Sequence, residues 1–146
     1  MKRFFKLIAI AAVALVGLQS CEKNDSHINA ALLPDAAKSF LSAHYGSMEI
    51  LGVVKDYDDL GYTYDVRLAD GTLIEFRKNG EWKQIENRSE GVVGSVIPAK
   101  IADYLTTNYP TNFVIDIERE RHYDVELNDG LDLEFGLDGD FIRIDR

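Results

Sequence analysis

The sequence predicts an α+β fold: two tandem α-β-β-β-β repeats forming one antiparallel sheet of about eight strands, with both helices on one face. Three observations predict it. The chain after residue 32 is written twice. Four Asp-Gly or Asn-Gly pairs punctuate it at 70–71, 79–80, 129–130 and 138–139, supplying the positive φ that tight hairpins demand. Between those turns apolar residues alternate with polar ones, as in a sheet buried on one side.

The elements follow in chain order. Met1–Lys6 is basic, and Leu7–Leu18 is a run of apolar or small residues. That run is shorter than the roughly 20 residues of a permanent span and reads as a secretory signal peptide over residues 1–20. It ends in Leu18-Gln19-Ser20-Cys21, which resembles a bacterial lipobox, and the chain has no other cysteine. The resemblance implies lipidation of Cys21, anchoring through acyl chains and a location in the cell envelope, periplasmic or at the outer membrane or cell surface. A lone cysteine also excludes an intrachain disulfide framework. Residues 21–32 are polar at first and read as a tether.

Residues 33–85 form the first repeat and residues 97–146 the second, joined by a linker at 86–96. Pro34 and Pro98 open the helices, in the first turn where proline is tolerated, and Gly46 and Pro110 stop them. Phe40, Leu41 and Tyr45 match Tyr104, Leu105 and Tyr109 at an offset of 64. Downstream, Tyr64-Asp65-Val66-Arg67-Leu68-Ala69-Asp70-Gly71 matches Tyr123-Asp124-Val125-Glu126-Leu127-Asn128-Asp129-Gly130 at an offset of 59. Phe76, Gly80, Trp82 and Ile85 match Phe135, Gly139, Phe141 and Ile144 at the same offset. The five-residue difference falls at 56–61 and predicts a longer first hairpin loop in the first repeat. The first strands are expected at Glu49–Lys55 and Asn112–Arg119. Each repeat alone is too small for a stable core, so the two should share a sheet. The expected inward set is Tyr64, Val66, Leu68, Ile74, Phe76 and Trp82, with Tyr123, Val125, Leu127, Leu133, Phe135 and Phe141.

The Pro-led helix, the Tyr-x-Val-x-Leu-x-Asp-Gly hairpin and the Phe followed by Gly-x-Trp resemble the PepSY-like, β-lactamase-inhibitor-like family of bacterial envelope proteins. The resemblance covers about Leu33 to the C-terminus. It implies a non-catalytic, inhibitor-like module whose sheet grips a partner protein. Fold likeness names no target.

Charge gives the candidate binding face. The formal net charge is −9, and −12 without the first 20 residues, which excludes non-specific nucleic-acid binding. Strand alternation puts Asp116, Glu118, Asp124, Glu126, Asp132 and Glu134 on the face opposite the helices. The first repeat is mixed there, with Asp65, Arg67, Glu75 and Arg77. Such a face suits a protein with a basic surface, or cations such as calcium. It holds few of the aromatic anchors that a tight protein grip usually has.

Residues 56–67 begin like a calcium loop but place Leu60 and Arg67 where ligands belong, so a hairpin is expected. His27, His44 and His122 share no metal-ligand spacing. The sequence holds no nucleophile elbow, phosphate loop or dinucleotide fingerprint. The expectation is therefore a lipid-anchored binding module, not an enzyme, with no cofactor and no assigned metal ligands. An acidic calcium-binding or calcium-sensing lipoprotein is the alternative.

Overall fold

A computed structural model describes residues 25–58 and 61–145. The expected signal peptide and Cys21 lie outside the described residues. Helix α1 spans Asp35–Tyr45 and α2 spans Ala99–Asn108. The strands are β1 (Ser26–Ile28), β2 (Ile50–Asp58), β3 (Gly61–Leu68), β4 (Leu73–Arg77), β5 (Trp82–Glu86), β6 (Val114–Arg119), β7 (Tyr123–Leu127), β8 (Asp132–Phe135) and β9 (Phe141–Asp145). They form one nine-stranded antiparallel sheet in simple chain order.

Each helix starts directly after its proline, which takes the N-cap position rather than a place inside the first turn. Asp35 sits in the first turn of α1, where a negative charge opposes the helix dipole, and meets Lys38 at 2.8 Å. Tyr109, forced from helical geometry by the proline that follows, caps α2 with φ −136°. The stripes Ala37, Leu41, Tyr45 and Ile101, Leu105 are buried at helical spacing.

Both stripes pack on the same side of the sheet, against Val66, Ile74, Phe76, Val125, Leu133 and Phe135. The repeats place rings alike. Phe40 meets Phe76 edge-on at 5.7 Å, and Tyr104 meets Phe135 edge-on at 5.4 Å. All of the expected inward set is buried except Trp82, which is half-buried, and Phe141, which is exposed. Gly80 and Gly139 pack their turns on the helix starts. A Cβ on Gly80 would lie 2.8 Å from Pro34 Cβ, and one on Gly139 2.9 Å from Lys100 Cβ, both at positive φ.

Three features differ from the expectation. First, Ser26–Ile28, inside the segment read as a tether, pairs with Val53–Lys55 and adds the ninth strand. Second, the extra residues of the first repeat lengthen the strands instead of the loop. Pairing continues through Tyr57↔Tyr62 and Asp58↔Gly61, so β2 and β3 extend as a two-stranded ribbon. Alternating β-formers such as Tyr57, Tyr62 and Tyr64 favour that ladder over an open loop. Third, the linker is tied down. Asn87 Nδ2 donates to Thr72 Oγ1 at 3.0 Å, and Asn87 Oδ1 accepts from the backbone N–H groups of Ser89 and Glu90. Val92 and Val96 are buried there.

The repeats join at β5–β6, where Gln84, Ile85 and Glu86 stand opposite Glu118, Ile117 and Asp116. Arg77 fastens this junction, donating to the carbonyls of Trp82 and Arg119. No helix among the described residues is long and apolar enough to cross a membrane.

Candidate functional site: the open face of the sheet

The face opposite the helices carries two rows of polar side chains that cross the strands. One row runs Glu86, Asp116, Glu126, Asp132, Asp145, each directly opposite the next from β5 to β9. The other runs Asp65, Glu75, Gln84, Glu118, Asp124, Glu134, Arg143 from β3 to β9. The six carboxylates expected on this face all fall in these rows. Sequence reasoning missed Glu86 and Asp145, which complete the first row. Their shared offset of 59 carried the signal, but their alignment depends on the bulges at Glu75/Phe76 and Glu134/Phe135.

The rows are not bare. Lys83 Nζ sits 3.1 Å from Glu75 Oε1, 3.7 Å from Glu120 Oε1 and 4.0 Å from Glu118 Oε1. Arg88 spans Glu86 at 2.6 Å and Glu126 with a bidentate pair at 3.2 Å. Gln84 Nε2 donates to Asp116 Oδ2 at 2.7 Å. Arg143 Nη2 holds Glu134 Oε2 at 2.6 Å, and Glu134 is only 8% exposed. Lys83 comes from the β4–β5 bulge and Arg88 from the linker, so residue alternation alone could not place those two, whereas Arg143 stands directly opposite Glu134.

Burial, with crowding of like charges added to it, raises several of these acids. Burial pushes Asp116 up to about 7, against the Gln84 hydrogen bond, with Glu86 and Glu126 adding to the rise and Arg88 opposing it. Burial also pushes Asp65 up to about 7, helped by Glu75, Asp56 and Asp25 and opposed by Lys83. Arg77, expected on this face, instead donates to the backbone carbonyls of Trp82 and Arg119. Glu118 is raised chiefly by burial and then by Glu120. Burial works against the charge on Lys83, but its carboxylate neighbours prevail and raise its pKa.

One group has the donor set for a metal ion. His122, Asp124 and Glu134 each offer a ligand atom, and these lie within 4.8 Å of one another. His122 Nε2 is 3.0 Å from Asp124 Oδ2, and Nδ1 is 3.8 Å from Glu134 Oε1. The three residues come from the β6–β7 turn, β7 and β8, so the spacing of histidines in the sequence does not bring them together. His44 makes a different contact: its Nδ1 lies 2.9 Å from Ser95 Oγ, tying α1 to the linker.

A second patch lies on the ribbon. Lys55 Nζ stands 3.7 Å from the centre of the Tyr62 ring and 4.9 Å from that of Tyr57. Tyr57 is exposed and lies on the ribbon, away from the acidic rows. The segment weighed as a calcium loop thus presents tyrosines on paired strands.

The family profile described as "Putative beta-lactamase-inhibitor-like, PepSY-like" matches residues 62–143. The chain belongs to this family. It is similar to a solved "putative calcium-regulated periplasmic protein" from Bacteroides thetaiotaomicron: 32% identity, TM-score 0.80, covering 84% of this chain and 98% of that one. It is also similar to a "putative periplasmic protein of unknown function" from Bacteroides vulgatus, with 30% identity, TM-score 0.78, and 84% and 99% coverage. No functionally curated protein matches the chain. The solved neighbours are periplasmic by description, in keeping with an envelope location.

Proposed function

We propose that the chain is a lipid-anchored, non-catalytic binding module of the bacterial envelope, and that its open acidic face docks a protein with a basic surface. The observation that carries this reading is the row of five carboxylates from Glu86 to Asp145. Within it, Arg88 bridges Glu86 and Glu126, and Asp116 between them accepts a hydrogen bond from Gln84. A basic segment lying along that row would offset the repulsion that Glu86 and Glu126 add to the effect of burial on Asp116. Family membership supports a module that binds instead of catalysing.

The test is retention of envelope proteins on the natural chain beside a variant carrying Asp116→Asn and Asp132→Asn, two carboxylates of that row. These changes remove charge and leave the Arg88 and Arg143 pairs intact. A partner retained by the natural chain, released by salt and lost by the variant supports the reading. Equal retention by both baits refutes it. Lipidation is tested separately: Cys21→Ser should move the protein from the membrane fraction to the soluble fraction.

The second reading, a cation-responsive lipoprotein, is favoured by the clustered carboxylates and by the calcium-regulated description of the Bacteroides thetaiotaomicron structure. A cation bound only by the folded state raises its melting temperature. Millimolar calcium should then stabilise the natural chain and have less effect on an Asp65→Asn, Asp116→Asn variant. No thermal response to calcium would remove this reading.

A further inference from the structure

We propose that two copies of this chain pair through β9, antiparallel and across a two-fold axis, joining their sheets into one. The argument starts from the internal repeat. At an offset of 59, β9 is the counterpart of β5: Phe141, Arg143, Ile144 and Asp145 stand where Trp82, Gln84, Ile85 and Glu86 stand. Strand β5 has a strand on both sides, and Ile85, opposite Ile117, is 0% exposed. Strand β9 is last in the sheet order and pairs with β8. There Ile144 is 37% exposed, with Phe141 and Ile142 exposed as well. The second repeat thus presents the joining edge of the first with nothing beside it among the described residues. An apolar free edge of this kind is a template for another strand.

The occupant follows from charge and closure. When two β9 strands run antiparallel with Ile144 facing Ile144 of the partner subunit, Arg143 faces Asp145 of the partner subunit, and the reverse pair forms symmetrically. Directly opposite residues share a face, so both ion pairs lie on the open face and both isoleucines on the helix side. This repeats the β5–β6 pattern, where an isoleucine pair is flanked by polar residues. Moving the axis to Arg143 would set guanidinium against guanidinium, which is disfavoured. Both sides of β6 are taken, by β5 and β7, so the join between repeats cannot itself recur between chains. The remaining sheet edge is β1, and pairing β9 with it would build an open filament instead of a closed dimer. The two-fold arrangement keeps all helices on one side and joins two acidic faces into a continuous surface.

The experiment places cysteine at the axis of the full-length chain in its native envelope. Facing Cα atoms in an antiparallel pair are about 4.5–5.5 Å apart, within disulfide reach. Ile144→Cys should give a single dimer band on a non-reducing gel, abolished by reductant. Leu137→Cys, exposed in the β8–β9 turn, should not. Cys21 is common to both variants, so it cannot produce a difference between them. Sedimentation of the purified chain should show a monomer–dimer equilibrium, shifted to monomer at least tenfold by Asp145→Arg with the melting curve still cooperative. Three outcomes overturn the proposal: a monomer throughout, equal cross-linking of the two cysteine variants, or a ladder of higher species.

Discussion

The two repeats share a backbone but neutralise their open faces differently. In the first, Asp65 and Glu75 stand side by side, and one long cation, Lys83, reaches Glu75 and then Glu118 and Glu120 of the second repeat. In the second, the equivalent Asp124 and Glu134 are met by His122 and Arg143. The lesson is that repeat symmetry dictates where carboxylates lie but not what balances them. The difference extends to the edges. The first repeat is sealed by the second, and the second ends on an exposed strand.

The sharpest way to break that comparison is to shorten the same side chain in both repeats. Ile85→Ala leaves a cavity at a fully buried position and should cost about 2–5 kcal/mol. Ile144→Ala, at its half-open counterpart, should cost about 1 kcal/mol or less in dilute monomer. Chemical denaturation of the two variants checks both values. Equal losses would mean that β9 is as well covered as β5.

A second pair separates backbone strain from crowding. Gly80→Ala meets both a positive φ and Pro34 Cβ at 2.8 Å with the Ala37 nitrogen at 2.9 Å. It should cost on the order of 2–4 kcal/mol. Gly130→Ala has positive φ but open space around it, and should cost about 1 kcal/mol. Thermal melts of both variants read the difference, at roughly 3–5 °C per kcal/mol.

These pairs also mark how far the sequence could be read. Turn glycines and alternating apolar residues announce themselves, because each is dictated by its own backbone geometry. The turns, the inward set apart from Trp82 and Phe141, and the placing of the six face carboxylates were legible for that reason. Strand β1 was not, since three residues of Ser-His-Ile carry no periodicity and form a strand only because β2 offers an edge. Nor were the roles of Lys83, Arg88 and His122. Their heads find carboxylates through bulges, a linker turn and side-chain reach, none of which follows a period of two. Acids and glycine at 56–61 suggest a loop, whereas the cross-strand contact of Tyr57 with Tyr62, and of Tyr62 with Tyr64 on its own strand, goes with a paired ribbon.

A third prediction uses the buried acids. Asp65 and Asp116 titrate near 7 in the folded chain, against 3.8 as ordinary aspartates. The folded state therefore holds protons that the unfolded state releases between those values. The stability linked to these groups is fully present below about pH 4 and is lost as the pH rises through about 7. The melting temperature should fall between pH 5 and pH 8 by an amount worth on the order of 1–3 kcal/mol. Asp65→Asn with Asp116→Asn should flatten that slope and leave the chain more stable at pH 8. A melting temperature that stays level or rises from pH 5 to pH 8 would contradict the assignment.

The smallest expected effect asks whether His122 serves stability or binding. Its position corresponds to Thr63 in the first repeat. His122→Thr therefore gives the second repeat the side chain that the same backbone already carries. The imidazole is half-exposed, and its contacts to Asp124 and Glu134 are solvent-screened, so the loss of stability should stay under about 1 kcal/mol. Arg143 still holds Glu134 after the change, so the strand register should not move. The same variant removes the only nitrogen donor of the three-ligand group, and a nitrogen donor distinguishes zinc-like ions from calcium. Thermal shift with zinc and with calcium then gives two independent readouts. A zinc response that vanishes while any calcium response persists assigns His122 to metal binding. If neither response changes, its role is to satisfy two crowded carboxylates, as Lys83 satisfies Glu75 in the other repeat.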